Sequence, residues 1–537
     1  SLKKMKPLQE TDIRLRELLD QEDYSGAIHL YFECLEVVKS LKHFNCISEL
    51  SNKLQDTLEM TEEQIDVALS KMCLSFNIPL YIKLQNAYQL LGKTQTAMDQ
   101  LLMHFASAIH NKAFSIVFGY VELFCSSSSS SNEQKIDNFH KKQYSELCSF
   151  LTAEGFVPCF TDLCKALYDI MLNYYKILNW HREEEFNDEN DDSVSQTNDK
   201  RYIKQKLEHG LGRVWQDVQQ KIRVLIQNHD LSCYNFEEFI KILAIAEKMV
   251  EIGEDFCSSK SDELQDLIHK QTINYFQNYH RSCMYELKMF LESETWTLCP
   301  LAPGFSLLDL QEFLFLKSKP KISFIKSSPT NSPSRSFSYF SKFLLNQKDT
   351  LINPFDLDLE NQENIETISN DAMDQPKLSS SVPMKSFDKR KSITEDSNNK
   401  LPLVLNGSSD SCLIMTTATL NALRLFGKYM HVMNILSPIS FDVLLCIFQV
   451  FDYYIYSIYK FFGKDMLMMA DNSISNQMRS SLKRISDNLI VNETNMNDAN
   501  LNPKNKYLSP SLSPAVGMSN PEKLYGLAER IIAVESL

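Results

Sequence analysis

The chain has 537 residues, of which 43% are hydrophobic and 11% aromatic, so it carries enough apolar surface for several cores. Its formal net charge of −14 excludes the general basic surface that binding to nucleic acid requires, and we expect no nucleic-acid partner. Only 13 glycines occur and hairpin signals are rare, which favours helices over sheets.

Residues 1–124 form the first predicted helical block, because their apolar side chains recur every three or four positions. One such stripe contains Tyr24, Ala27 and Ile28, and Asp23 stands in the acidic turn before it. Thr61 is followed by two glutamates, which is typical of an N-cap with acids in the first turn. We therefore expect a new helix to begin at Thr61.

Gly92, Lys93 and Thr94 are the residue types that close a phosphate-binding loop. Such a loop also needs a glycine five positions before Gly92, where this chain has Ala87 inside a helical stripe. The pattern therefore predicts a corner between two helices, with Gly92 just after the first and Thr94 as the N-cap of the second. An all-helical nucleotide-binding or enzymatic protein using these residues is the alternative hypothesis.

The middle of the chain alternates loops with helices. Six consecutive serines predict a flexible loop over 125–134, and a helical segment follows over 135–180. Residues 181–201 carry many acids without apolar period, which predicts a solvated disordered loop; the spacing of a calcium-binding loop is missing. Residues 202–316 form a central helical block, in which we expect one helix to end at Gly253 and Gly210 and Gly212 to mark a packing contact.

Serine, asparagine and proline dominate residues 317–411, which predicts disorder. A C-terminal helical block follows over 412–495, then a disordered loop over 496–520 and the start of a truncated helix over 521–537. We interpret the chain as a fragment, because it starts without methionine and stops within this helix. The predicted disordered segments 317–411 and 496–520 hold the candidate phosphorylation sites, which are Ser328, Ser332, Ser392, Ser509 and Ser513.

Residues 439–463 are the most apolar stretch and are long enough to cross a bilayer. Asp442, Gln449, Asp452 and Lys460 interrupt the stretch, so we expect a buried helix of a core instead.

The residue types that carry chemistry form no recognisable site. The 13 cysteines lie singly, mostly in apolar stretches, which indicates reduced thiols in a cytosolic protein. The closest histidine pairs, His104 with His110 and His269 with His280, do not have the spacing of a zinc site. A catalytic site in which a distant histidine activates Cys159 or Cys164 as the nucleophile stays an open alternative. We predict no catalytic residue, no metal and no cofactor.

Two parts of the chain resemble a known family. Residues 18–60, with Asp23, Tyr24, Ala27 and Ile28 at the start of a helix, resemble the opening of the helical rods in multisubunit vesicle-tethering complexes. Residues 69–123 and 420–463 are similar to helices of the endosome-associated recycling tether, which is related to the Golgi-associated retrograde tether. The resemblance covers nearly the whole chain.

The apolar spacing predicts an all-α fold, an elongated rod of stacked antiparallel helices interrupted by long disordered loops, and the resemblance implies the same. The resemblance also implies a non-enzymatic cytosolic protein, peripheral on recycling endosomes and the trans-Golgi network, that returns endosomal cargo to the plasma membrane. The implied partners are the other tether subunits, SNARE proteins and small GTPases. A generic helical scaffold outside trafficking is a further alternative.

Overall fold

The computed structural model of the protein describes residues 11, 13–40, 45–126, 142–187, 194–293, 298–300, 305–317, 339–340, 353–356, 414–463, 475–491 and 506–510. The chain divides into two compact units, and each consists of two chain segments. Unit 1 comprises Ser1–Ile268 and Ser332–Asn364, and unit 2 comprises His269–Asn331 and Ile365–Leu537.

Unit 1 is built from helices. In chain order they are α1 (13–20), α2 (Tyr24–Ser40), α3 (Asn45–Met72), α4 (Ile78–Leu90), α5 (Thr94–Ser126), α6 (Tyr144–Ser149), α7 (Ala153–Asn187), α8 (Val194–Gln227), a 3-10 turn (Leu231–Cys233) and α9 (Phe236–Cys257). The next helix, α10 (Asp262–Ser293), starts in unit 1 and continues into unit 2.

The core of unit 1 lies where α5, α7 and α8 pack against each other, and α9 packs on α7 and α8. One face of α5 is buried at intervals of three to four residues, as the apolar spacing predicts. Its buried side chains are Ala97, Leu101, Phe105, Ile109, Ala113, Val117 and Val121. The Tyr174 hydroxyl on α7 donates to the Leu207 carbonyl on α8 at 2.7 Å, so this buried polar group is satisfied.

Gly210 confirms the predicted packing contact and Gly212 does not take part in it. A Cβ atom at Gly210 would overlap the Tyr174 hydroxyl and a methyl group of Leu102, whereas a Cβ at Gly212 would meet nothing within 4 Å. Of the two glycines, only Gly210 allows the close approach of α8 to α5 and α7.

Several boundaries differ from the sequence expectations, and three of them concern Thr61, Gly253 and residues 181–201. Thr61 starts no helix, because α3 is continuous and the Thr61 hydroxyl donates to the Thr57 carbonyl at 2.7 Å in the preceding turn. The helix predicted to end at Gly253 continues to Cys257 and ends at Ser258, whose φ is 54°. Gly253 is needed instead for contact with the indole of Trp215.

The acidic stretch 181–201 is the third difference. Helix α7 continues to Asn187 and α8 begins at Val194, so both ends of the predicted loop are helical. Glutamate and arginine are good helix formers, and continuation of two long packed helices outweighs the local charge repulsion. The serine loop 125–134 lies outside the described residues, except that Cys125 and Ser126 end α5.

Unit 2 is also mainly helical. After α10 come β1 (Leu298–Pro300), two 3-10 turns (Leu307–Asp309 and Gln311–Leu316), β2 (Ile414–Thr416), α11 (Thr417–Ile435), a 3-10 turn (Ser437–Ile439), α12 (Ser440–Ile458), a π-helical turn (Tyr459–Gly463), α13 (Asn476–Leu489), β3 (Ile490–Val491) and β4 (Tyr507–Leu508). Helix α12 packs against α11 and α13, and α11 also packs on the second 3-10 turn.

Two short strand pairs complete unit 2. Strands β1 and β2 are antiparallel, with Leu298 opposite Thr416 and Pro300 opposite Ile414, and β3 pairs with β4 in parallel. Strands of two or three residues are too short to leave an alternating pattern, so the sequence does not predict them. The described residues contain no larger sheet, and the all-α prediction is confirmed.

Candidate functional site

The predicted helix start near residue 24 is present. Helix α2 begins at Tyr24, and the Asp23 carboxylate accepts a hydrogen bond from the Gly26 backbone N–H at 3.0 Å. Asp23 therefore acts as the N-cap. Tyr24, Ala27 and Ile28 are buried, so the small Ala27 side chain lies in a packed contact of α2.

The Gly92-Lys93-Thr94 segment is a corner between α4 and α5. Gly92 has a φ of 65°, and the Lys93 N–H donates to the Tyr88 carbonyl at 3.0 Å, which closes the end of α4. Helix α5 begins at Thr94 itself, and the Lys93 carbonyl accepts from the Ala97 N–H at 3.0 Å. Lys93 is thus the N-cap residue, one position before the predicted Thr94.

The Lys93 side chain is engaged within the protein. Its Nζ lies 2.7 Å from both carboxylate oxygens of Glu62 on α3. In a phosphate-binding loop the lysine must reach the ligand and backbone N–H groups must be free to face it. Here the lysine joins α3 to the corner, and the local backbone closes helix ends.

The two cysteines that the sequence leaves open are buried, and His104 and His110 have different polar partners. Burial raises the pKa of the Cys159 thiol to about 12 and raises that of Cys164 further, so both stay protonated and weakly nucleophilic. His104 bonds to Asp66 at 2.8 Å, while His110 contacts Lys221 at 2.9 Å. Within the part of the chain that the structure describes, no group of His, Cys, Asp and Glu side chains could hold a metal ion.

A buried polar cluster in unit 2 joins three helices through His280. The His280 Nδ1 lies 2.6 Å from the Tyr429 hydroxyl on α11, and its Nε2 lies 3.0 Å from Gln449 Oε1 on α12. The ring of Tyr507 packs edge-on against the imidazole at 5.7 Å. Burial lowers the pKa of His280 to about 4, so the ring is neutral at physiological pH.

This cluster predicts a pH dependence of stability. The unfolded chain takes up a proton at His280 near pH 6.5, whereas the folded chain resists protonation down to about pH 4. Stability from the neutral ring is complete above pH 6.5 and is lost as the pH falls toward 4. We expect the stability difference between wild type and His280→Asn to shrink by about 2–3 kcal/mol between pH 7.5 and pH 4.5.

Urea denaturation of both proteins at the two pH values measures this difference. His181, whose pKa burial also lowers to about 4, is present in both chains and cancels in the comparison. A difference that does not change with pH would contradict the assignment of His280 as a buried neutral group.

Helix α12 is buried on one face only. The prediction of a buried helix is therefore correct for that face and wrong for the opposite one. The exposed face carries large apolar side chains at helical spacing, namely Phe441, Leu444, Leu445, Phe448 and Phe451. Among the described residues, Ser437–Phe461 is long and apolar enough to cross a bilayer by length and composition, and 28% of its most apolar window is buried. Contiguous exposed apolar surface of this kind marks contacts with other molecules.

The two faces of α12 should respond differently to the same substitution. Phe448 is 56% exposed and Val450 is fully buried two positions further along. We expect Phe448→Ser to change the free energy of unfolding by less than about 1 kcal/mol, and Val450→Ser to lower it by about 2–3 kcal/mol. Urea denaturation of both variants checks the orientation, and equal losses would contradict it.

Four of the candidate phosphorylation sites, Ser328, Ser332, Ser392 and Ser513, lie outside the described residues. Ser509 is half-buried, and its hydroxyl accepts a hydrogen bond from the Lys460 ammonium at 2.5 Å. A lysine at this position would pair with a phosphate on Ser509.

Comparison with known proteins finds one family model and several relatives that are similar to this chain. The family model described as vacuolar-sorting protein 54 of the GARP complex matches residues 1–180, which include α1 to α6 and most of α7. No solved structure matches the chain.

The whole chain is similar to syndetin. It is 42% identical over 579 residues to syndetin of Rattus norvegicus, 42% over 580 residues to that of Mus musculus and 41% over 585 residues to that of Gallus gallus. These alignments cover 100% of this chain and 58–60% of the relatives, so the chain spans about three fifths of their length. The predicted resemblance to a subunit of a GARP-related tether is confirmed.

Proposed function

We propose that this protein is a subunit of a multisubunit vesicle-tethering complex. The observation that carries the proposal is the similarity to syndetin along the whole chain, together with the match of residues 1–180 to a GARP-complex family. The exposed apolar face of α12 supports a role in binding other proteins. Cys159 and Cys164, the candidate nucleophiles, are buried thiols and therefore give no support to a catalytic role.

The cellular process that we propose is endocytic recycling, in which endosomal cargo returns to the plasma membrane. The protein would act in the cytoplasm, at the surface of recycling endosomes and of the trans-Golgi network. Its partners would be the other tether subunits, SNARE proteins and small GTPases, and it would capture vesicles without making or breaking covalent bonds.

A recycling assay tests this role. Cells lacking the protein would be labelled at the surface, allowed to internalise a receptor and then followed as the receptor returns. We expect slower return in these cells and normal return after re-expression of the full-length protein. A return rate that is the same with and without the protein would contradict a role in recycling.

The alternative, a nucleotide-dependent function at Gly92-Lys93-Thr94, has a separate test. Equilibrium binding of labelled ATP and GTP would be measured for the wild type and for Lys93→Ala. We expect no specific binding to either, because Lys93 engages Glu62 at the helix corner. Tight binding that the substitution abolishes would favour the alternative.

A further inference from the structure

Two short stretches within the serine-rich region 317–411 belong to unit 1 and pack against its helices. They are Tyr339–Phe340 and Asn353–Asp356, and they are the described parts of the chain between residues 318 and 413. Phe340 is 1% exposed and Phe355 is 4% exposed. Burial this complete is unexpected for single aromatic residues in a stretch whose composition predicts disorder.

Phe340 inserts into a pocket of aromatic side chains from α7 and α9. Its ring centroid lies 5.1 Å from that of Tyr175, 5.3 Å from Phe256 and 5.8 Å from Tyr168. The Phe340 backbone N–H donates to the Asp255 carboxylate at 3.2 Å. Aromatic rings at these separations attract each other beyond the effect of burial, so the pocket is selective for a ring.

Polar contacts on the same face hold the second stretch. Asn353 Nδ2 donates to the Lys165 carbonyl at 3.2 Å and to the Asp169 carboxylate at 3.1 Å. Lys165 Nζ lies 2.7 Å from Asp356. These contacts place the turn across α7.

Lys248 on α9 fixes the phenylalanine of this turn. Its ammonium donates to the Pro354 carbonyl and lies 5.5 Å from the centre of the Phe355 ring, a cation–π distance. The turn also satisfies its own backbone, since the Phe355 N–H donates to the Asn353 side chain at 3.2 Å and the Asp356 N–H to the Asn353 carbonyl at 2.9 Å. These hydrogen bonds are local, so a short peptide with the same residues contains every group that forms the turn.

Buried aromatic anchors with a few surrounding polar contacts, supplied by a linear stretch, are the means by which proteins bind short peptides. We propose that the face of α7 and α9 formed by Lys165, Tyr168, Asp169, Tyr175, Lys248, Asp255 and Phe256, here named the aromatic docking face, is a binding site for short aromatic peptide segments. This chain's own stretches occupy it in cis. A partner peptide with a phenylalanine in an Asn-Pro-Phe-Asp turn competes for it.

The cis arrangement determines what a binding experiment should show. A segment linked to its own site is present at a high effective concentration, on the order of millimolar for short linkers, so it excludes a weakly binding peptide added in solution. Removal of the cis phenylalanine should therefore open the site. The inference concerns unit 1 alone and stands whether or not the proposed tethering role is correct.

The probe is a fluorescently labelled peptide of residues 350–363, which contains the turn and the acids that follow it. Anisotropy titrations would compare the wild-type chain with Phe355→Ala. We expect the peptide to bind Phe355→Ala at least about tenfold more tightly than wild type, because the competing cis ring is gone. The same peptide carrying alanine in place of its phenylalanine should not bind.

Phe32→Ala is the matched control, since this phenylalanine is 39% exposed on α2 and takes no part in the docking face. Its affinity for the peptide should equal that of wild type. Adding Lys248→Ala to Phe355→Ala should weaken peptide binding by roughly two- to fivefold, because the cation–π contact is lost. Thermal melts of each variant verify that the chain is folded.

Failure of the peptide to bind a folded Phe355→Ala chain would overturn the proposal. Equal peptide affinity for all variants would show non-specific binding and would also overturn the proposal. So would an affinity that Lys248→Ala does not change. If Phe355→Ala does not fold, hydrogen exchange of residues 350–363 in the folded Lys248→Ala chain decides instead. Faster exchange than in wild type supports reversible docking, and unchanged exchange contradicts it.

Discussion

Phe105→Ala is expected to lower the free energy of unfolding by about 3–5 kcal/mol, the cost of removing a phenylalanine from a packed core. Phe105 is fully buried on α5, and its ring packs edge-on against Tyr174 with the centroids 4.9 Å apart. Removing the ring leaves a cavity between α5 and α7, which two long helices cannot close by small shifts. Urea denaturation followed by circular dichroism measures the loss.

Met103→Ala on the same helix is the matched control. Met103 is 62% exposed and lies two positions before Phe105. Its replacement should change stability by less than about 0.5 kcal/mol. Similar losses for the two variants would mean that the face of α5 assigned to the core is wrong.

Gly253→Ala is expected to lower the free energy of unfolding by about 2–3 kcal/mol through overpacking. A methyl group at this position would overlap the Trp215 ring of α8. The indole cannot move aside easily, because it is 1% exposed and its Nε1 donates to the Ser261 hydroxyl at 3.1 Å. The added methyl group therefore has to push α9 away from α8.

Gly212→Ala on α8 should have the opposite sign. Nothing lies within 4 Å of a Cβ atom at Gly212, and alanine is favoured over glycine in a helix by about 1 kcal/mol. Urea denaturation of the two variants should show destabilisation for Gly253→Ala and stabilisation for Gly212→Ala. The same sign for both would contradict the close contact between Gly253 and Trp215.

The helical class and most helix positions could be predicted from the sequence because apolar side chains repeat once per turn. The stripe from Ile203 to Leu225 is a clear example, since Leu207, Val214, Val218 and Ile222 are all buried on α8. Local patterns were less reliable at boundaries. Thr61 looks like an N-cap but its hydroxyl bonds within a continuous helix, and Gly253 looks like a helix end but faces a tryptophan.

Contacts between distant residues account for what the sequence could not predict. The composition of residues 439–463 indicates burial, yet composition cannot say which face of α12 the neighbouring helices cover. Phe340 and Phe355 lie in a polar stretch with no period, and their burial depends on α7 and α9, which are far away along the chain. Pairing of β1 with β2 is equally non-local.

We propose that the protein acts through its contacts as part of a tethering complex. Affinity purification of the full-length protein from cells, followed by mass spectrometry, tests this role. We expect the other subunits of the complex to be recovered, and the Lys93→Ala chain to recover the same set. Recovery of none of these subunits by the full-length wild-type protein would contradict it.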